Sequence, residues 1–210
     1  MAKLKNEGSR EPLVISRLKV IAALSTCGNV NAVNDLDFSN AADLYAYDTE
    51  NKYTEWEEKT PLNPTKAFHL INKSNKDVVL LPLDNYIVKD THLTIGGIAD
   101  YALLTSDELL FVEFKTNATS TTKKALINNS KKAQKQLWHT YDSILKPKFV
   151  AQGVELESEV EIEFYIVFDS LLNVTGANAA FMNQMTKFED MYGHLLFFSN
   201  ERELISQINN

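Results

Sequence analysis

The chain has 210 residues, 44% of them hydrophobic and 23% charged, with a formal charge of −7. A chain of this length removes about 70% of its unfolded surface from water, so its core needs no covalent staples, and a single cysteine excludes a disulfide framework or a Cys-rich zinc site. Seven glycines and five prolines exclude collagen-like and low-complexity chains, and the longest apolar runs fall far short of the ~18 residues of a membrane span.

Residues 1–10 are polar and expected to be a flexible N-terminus. Pro12, at a helix start, followed by Leu13, Val14, Leu18, Ile21 and Ala22, predicts a packed helix over 12–25 that ends near Gly28. The short apolar run before Cys27 has the outline of a lipoprotein signal. Arg17 and Lys19 interrupt it, however, and Thr26 is larger than the residue such a cysteine usually follows, so the buried-helix reading is preferred and the chain is expected to be cytoplasmic. Residues 29–63 show no clean period, and 45–59 read as a short helix followed by a loop. Short strands are expected at 67–71 and 78–83 around the turn-forming 72–76, with another at 86–88.

Residues 98–104 and 109–116 are β-rich runs joined by Thr105-Ser106-Asp107-Glu108, which is hairpin spacing. A helix follows over 122–145, with Leu126, Ala133, Leu137, Tyr141 and Ile144 on one face and Gln134 beside them; Pro147 is expected to stop it. Residues 160–168 read as a central strand, 178–191 as a helix ended by Gly193, and 194–198 as a last strand. Glu155, Glu157, Glu159, Glu161 and Glu163 alternate with apolar residues, the pattern of a strand with a solvated face. The order predicts an α/β fold, a mixed central β-sheet flanked by helices, in one domain over 1–210.

If the hairpin turns about Ser106 and Asp107, Asp100 lies directly opposite Glu113, and the period of two puts Lys115 on the same face. Opposed like charges destabilise a strand pair, and Leu103, Leu104, Leu110, Phe111, Val112 and Phe114 leave little room for water. Two readings fit. One is a solvated face with a Glu113–Lys115 ion pair. The other is a cation site, since a hard divalent ion takes carboxylate and carbonyl oxygens and Mg²⁺ keeps several waters in such a partial cage.

Gly96-Gly97-Ile98-Ala99-Asp100 followed by Phe111-Val112-Glu113-Phe114-Lys115 resembles the core of the PD-(D/E)xK nuclease superfamily, with Ala99 where many members have proline. The resemblance implies a restriction-endonuclease-like αβββαβ core over 11–170, with 171–210 as a C-terminal helix–strand extension. It implies a metal-dependent nuclease, with Asp100, Glu113 and the Phe114 carbonyl as ligands of Mg²⁺, or of Mn²⁺ as a substitute. Lys115 would orient the attacking water or stabilise transition-state charge. Many members place a glutamine on the next helix; Gln134, on the sheet-facing side with Tyr141, is preferred over Gln136, which the wheel sets off that face, and Glu11 is a candidate for the acid that some add from the first helix. The implied partner is nucleic acid, DNA before RNA, with no membrane; a homodimer suits enzymes that cut both strands. A catalytically inactive binding or regulatory module on the same fold is the alternative.

The charge pattern bears on that choice. Residues 1–114 carry 11 basic and 17 acidic groups, residues 115–148 eight lysines against one aspartate, and the remainder 2 basic and 10 acidic groups. Lys123, Lys124, Lys131, Lys132 and Lys135 are either a solvated helix face or a surface for phosphates. His69, His92, His139 and His194 lack metal-ligand spacing. Neither a phosphate loop nor a Gly-x-Ser-x-Gly elbow occurs, and Gly96-Gly97 is expected to bend the backbone near the site.

Overall fold

The computed structural model describes residues 10–27, 30–49, 53–89, 92–118, 122–172 and 175–205, so the flexibility expected of the first residues and the helix end near Gly28 lie outside the described residues. Two short helices, α1 (Leu13–Arg17) and α2 (Val20–Leu24), precede β1 (Asp37–Ser39), β2 (Asp43–Asp48), β3 (Thr54–Glu57), β4 (Phe68–Ile71), β5 (Val78–Pro82), β6 (Tyr101–Leu104) and β7 (Glu108–Phe114). Helix α3 (Lys123–Trp138) runs through a π-helical stretch, His139–Leu145, into α4 (Lys146–Val150). Then come α5 (Leu156–Glu159), β8 (Glu161–Val167), α6 (Asn178–Tyr192), β9 (Leu195–Phe197) and β10 (Glu201–Glu203).

The strands form two mixed sheets, one in the order β1-β5-β6-β7-β8-β9 and one in the order β10-β4-β2-β3. In the larger sheet β7, β8 and β9 are parallel and the other pairings antiparallel. Parallel neighbours need crossovers, and α3 and α6 lie in the two connections. Strand alternation then sorts the core. Val79, Leu81, Ala102, Leu104, Leu109, Phe111, Ile162, Phe164 and Ile166 meet the helices, while Val78, Leu80, Tyr101, Leu103, Leu110, Val112, Phe114, Tyr165 and Val167 meet Leu44, Trp56, Phe68 and Leu70 of the smaller sheet. The result is an α/β molecule in three layers: helices, the larger sheet, and the smaller sheet.

Several expectations need correction. The helix over 12–25 is broken at Lys19, which takes a left-handed conformation (φ 52°). On one continuous helix Val14, Ile15 and Leu18 would centre near 50° and Val20, Ala23, Leu24 and Cys27 near 230°, at about 100° per residue. A straight helix could not bury both sets. The left-handed residue costs roughly 1–2 kcal/mol, less than full burial of Val20 and Leu24 contributes at ~1.5–3 kcal/mol each. Leu13 and Ala22 are exposed instead.

Residues 45–59 hold strand β3 and most of β2, not a helix: Leu44, Ala46, Thr54 and Trp56 are buried and their neighbours more open, a period of two. Residues 86–88 make only an isolated bridge, Asp84 to Val88. Pro147 does not stop the helix. It falls in the first turn of α4, where the π-helical stretch has already opened the hydrogen-bond ladder that a proline would break. The glutamate row is not one solvated strand face either. Glu157 and Glu159 lie on α5 and pair with Lys146 and Arg17, whereas Glu163 is buried facing Arg202 of β10. Among the described residues no helix is long and apolar enough to cross a membrane.

Candidate active site

The hairpin register is the one that the turn predicts. Tyr101 pairs with Val112, Ala102 with Phe111, Leu103 with Leu110 and Leu104 with Leu109, and one step further sets Asp100 opposite Glu113. Asp100 lies just ahead of β6, where its carbonyl accepts from the N–H groups of Leu83 (3.0 Å) and Asp84 (3.3 Å). Its Oδ2 accepts the Phe114 N–H at 2.5 Å, which ties the carboxylate to the neighbouring strand. By alternation Asp100, Glu113 and Lys115 share the helix-facing side of the sheet.

Glu113 is 2% exposed. Lys115 Nζ donates to its Oε1, while Oε2 is buried without a hydrogen-bond partner. Burial pushes the Glu113 pKa up to about 7 against the pull of Lys115, with the charge of Asp48 adding to the rise. Asp100 is raised well above the usual carboxylate range, by burial first and then by Glu113 and Asp48; the Phe114 N–H and Lys115 oppose the rise. Asp48, at the end of β2 in the other sheet, is itself raised by the protein around it, with Lys115 opposing and Asp84 reinforcing. One ammonium thus serves several carboxylates, and the centre is short of positive charge.

Lys115 Nζ also donates to Gln136 Oε1 (3.2 Å), and Gln136 Nε2 donates to the Ile98 carbonyl (3.2 Å). Gly97 permits this approach: its φ is 83°, and a Cβ there would stand 2.7 Å from Gln136 Cγ. The expected bend at Gly96-Gly97 therefore also makes room for a side chain. Beside it the Ala99 N–H donates to Thr140 Oγ1 (2.7 Å), and His139 Nε2 lies 3.1 Å from the Leu93 carbonyl oxygen, so the π-helical stretch seats this loop.

Gln134, expected at the site, lies elsewhere. Its Nε2 donates to Gln184 Oε1 of α6, which also accepts from Ser130. At 100° per residue Gln134 and Gln136 flank the apolar stripe of α3 at about 80° on opposite sides. The direction of the crossover turns the Gln136 flank to the end of β7. The sequence reading set Gln136 aside and missed Asp48. The wheel does not separate Gln136 from Gln134, and for Asp48 the signal is the alternation Leu44-Tyr45-Ala46-Tyr47-Asp48 that ends on an acid. Glu11 is exposed ahead of α1.

Lys123, Lys124, Lys131, Lys132 and Lys135 are all exposed on α3, without an ion-pair partner among the described residues. An open cavity of about 510 Å³, lined in part by Asp48, Tyr47, Lys66, Thr116 and Asn117, adjoins the centre on its other side.

Among the described residues no three His, Cys, Asp or Glu side chains gather as a group that could hold a metal ion. The donors fit a divalent cation in the smaller way: two carboxylates set opposite each other, with one buried oxygen unsatisfied and the Phe114 carbonyl next to Glu113 in sequence. That is a hard, all-oxygen set which leaves coordination sites for water, as Mg²⁺ requires. Comparison with protein-family models, with curated proteins and with solved structures found no match to this chain.

Proposed function

We propose that this chain is a Mg²⁺- or Mn²⁺-dependent nuclease of the PD-(D/E)xK type, with a restriction-endonuclease-like core, that hydrolyses phosphodiester bonds in DNA. The observation that carries this reading is the buried Glu113 carboxylate, one oxygen unpartnered, set opposite Asp100 beside a lysine. Asp100, Glu113 and the Phe114 carbonyl would hold the ion. When bound, it supplies Lewis-acid polarisation of the phosphoryl oxygen and a lowered water pKa.

The chain's own residues do the rest. Asp100, anchored by the Phe114 N–H, keeps its carboxylate at the strand end. Lys115, held between Glu113 and Gln136, presents an ammonium where charge develops on the phosphorane oxygens or where the attacking water sits. Gln136, fixed by the Ile98 carbonyl, limits the positions of that ammonium. The lysines of α3 offset phosphate charge on approach.

Supercoiled and linear DNA incubated with Mg²⁺ or Mn²⁺ tests the reading. Cleavage is expected from the wild type and none from Asp100→Ala or Glu113→Ala; undiminished cleavage by either variant overturns it. A second reading, a binding or regulatory module without turnover, is favoured by one observation, the direct Glu113–Lys115 pair, which already gives the acid a counter-charge. Calorimetry with Mn²⁺ separates the two, since the module predicts no binding heat that depends on Glu113.

A further inference from the structure

The parallel strands β7, β8 and β9 end along one edge of the larger sheet, where ligands of α/β sheets collect. Glu113 is the last residue but one of β7. Its register partner on β8 is Ile166, and Ile166 lines a second, more apolar cleft of about 590 Å³. The cleft lies between α6 and the chain leaving β8 and β9, and its volume is in the range of small-ligand sites.

Its walls have a particular shape. Phe168, Phe181 and Phe198 form a run of nearly parallel rings, with centroids 5.7 Å and 4.2 Å apart and interplanar angles of 17° and 11°. Phe168 and Phe181 are buried, so half-buried Phe198 is the ring of the three left open. Met182, 63% exposed, stands at the mouth. Asn200 places an amide on the rim beside Ser199, whose hydroxyl donates to the Glu201 carbonyl (2.9 Å) and accepts the Glu201 N–H (3.1 Å). Flat apolar faces with an amide that both donates and accepts suit a heteroaromatic base: stacking on its face and hydrogen bonds at its edge.

Distance selects the ligand further. Neighbouring strands are about 4.8 Å apart, so the cleft begins one to two strand widths from Glu113. A base lies about that far from its own phosphate. A base inside a duplex is stacked on both faces and unable to enter.

We infer that this cleft receives one unpaired nucleobase of the polynucleotide whose phosphodiester lies at Glu113 and Lys115, so that the substrate is single-stranded or carries an extruded base. The inference rests on reading the Asp100–Glu113 centre as a phosphodiesterase site, and it names the substrate class of that site.

The test is binding of the full chain to a labelled single-stranded DNA 12-mer and to the matching duplex, by fluorescence anisotropy in EDTA. The wild type should prefer the single strand. Phe198→Leu keeps apolar bulk but removes the ring face, and should weaken single-strand binding roughly tenfold, within the 1–3 kcal/mol range of base–aromatic stacking, while leaving duplex binding almost unchanged. Met182→Glu, at an exposed position that the fold does not depend on, should act in the same direction by setting a carboxylate at the mouth. A wild type that prefers the duplex or binds neither strand overturns the inference, as do folded variants that bind the single strand like wild type.

Cleavage in Mn²⁺ separates this inference from the one beneath it. DNA cut by the wild type, with binding by both variants unchanged, removes the base cleft and leaves the nuclease. Ring-dependent single-strand binding without any cleavage keeps the cleft as a base-binding site and removes the nuclease.

Discussion

Strand β7 buries a glutamate at each end, and the two ends are solved differently. At its start Glu108 Oε1 accepts from Arg202 (3.0 Å), whose Nε lies 3.4 Å from Glu163 Oε2; Tyr165 donates to that same oxygen (2.6 Å), and Lys76 pairs with Asp107 close by (2.7 Å). At its other end Glu113 shares one ammonium with Asp100 and Asp48. Each glutamate keeps one oxygen without a partner, so an orphaned oxygen does not separate them. The supply of counter-charge does. Two cations from distant segments serve the first end and make it a fastener between the sheets. The second end has one cation, Lys115, acting on three acids.

The largest expected effect tests the fastener. Arg202→Met leaves Glu108 and Glu163 buried without their guanidinium and should lower stability by about 3 kcal/mol, the low end for a broken buried pair, as read by urea unfolding. Metal binding at Glu113 should survive in the folded fraction. A loss below about 0.5 kcal/mol, the size of an ordinary surface substitution, would make the two ends alike.

Glu113→Gln should have the opposite sign, stabilising the metal-free protein at neutral pH by about 1 kcal/mol or more. A folded pKa near 7 means that the native state holds a proton which the unfolded state releases at about 4.5. That stabilisation is fully present below about 4.5 and is lost as pH rises through about 7. His194, lowered by burial, works in the other direction where a histidine titrates, so the difference between wild type and variant isolates the glutamate. Thermal melts from pH 5 to pH 8 in EDTA should diverge as pH rises. Mn²⁺ should raise the melting temperature of the wild type and leave the variant almost unmoved. Equal Mn²⁺ shifts would put the ion elsewhere.

A third comparison sharpens the site itself. Gln136→Ala should lower cleavage about tenfold, 1.4 kcal/mol in transition-state terms, with little change in melting temperature. Gln134→Ala should lower stability through Gln184 and leave turnover intact. The reverse result would restore Gln134 to the site. The smallest effect is long-range. With Lys131, Lys132 and Lys135 replaced by Gln, the salt slope of duplex binding should fall by roughly 0.9 for every phosphate that one of these ammonium groups neutralises. An unchanged slope returns these lysines to plain solvation.

The site was legible in sequence where it depended on local chemistry. Turn length set the pairing of Asp100 with Glu113, and alternation set the face of Lys115. What stayed hidden depended on long-range packing. Asp48 comes from a second sheet whose strands are short and half-exposed, so their periodicity is weak. Choosing between Gln134 and Gln136 needs the direction of a crossover, which a helical wheel does not contain. The break at Lys19 is visible only once Val14 and Val20 are known to face the same core. Glu163 looked solvated because its counter-ion, Arg202, lies on a three-residue strand too short to be read from sequence.

The arrangement of β10 has a consequence for how the chain reaches this structure. β10 pairs in parallel with β4, His69 opposite Glu201, and carries the guanidinium that Glu108 meets across 94 positions of sequence. During vectorial synthesis the hairpin, α3 and β8 leave the ribosome before Arg202 does. Glu108 and Glu163 then face the smaller sheet without their guanidinium, with only Lys76 near the first and the Tyr165 hydroxyl on the second, and closing that sheet on them is less favourable. Docking of the smaller sheet is therefore held back until β10 emerges, a late step of high contact order.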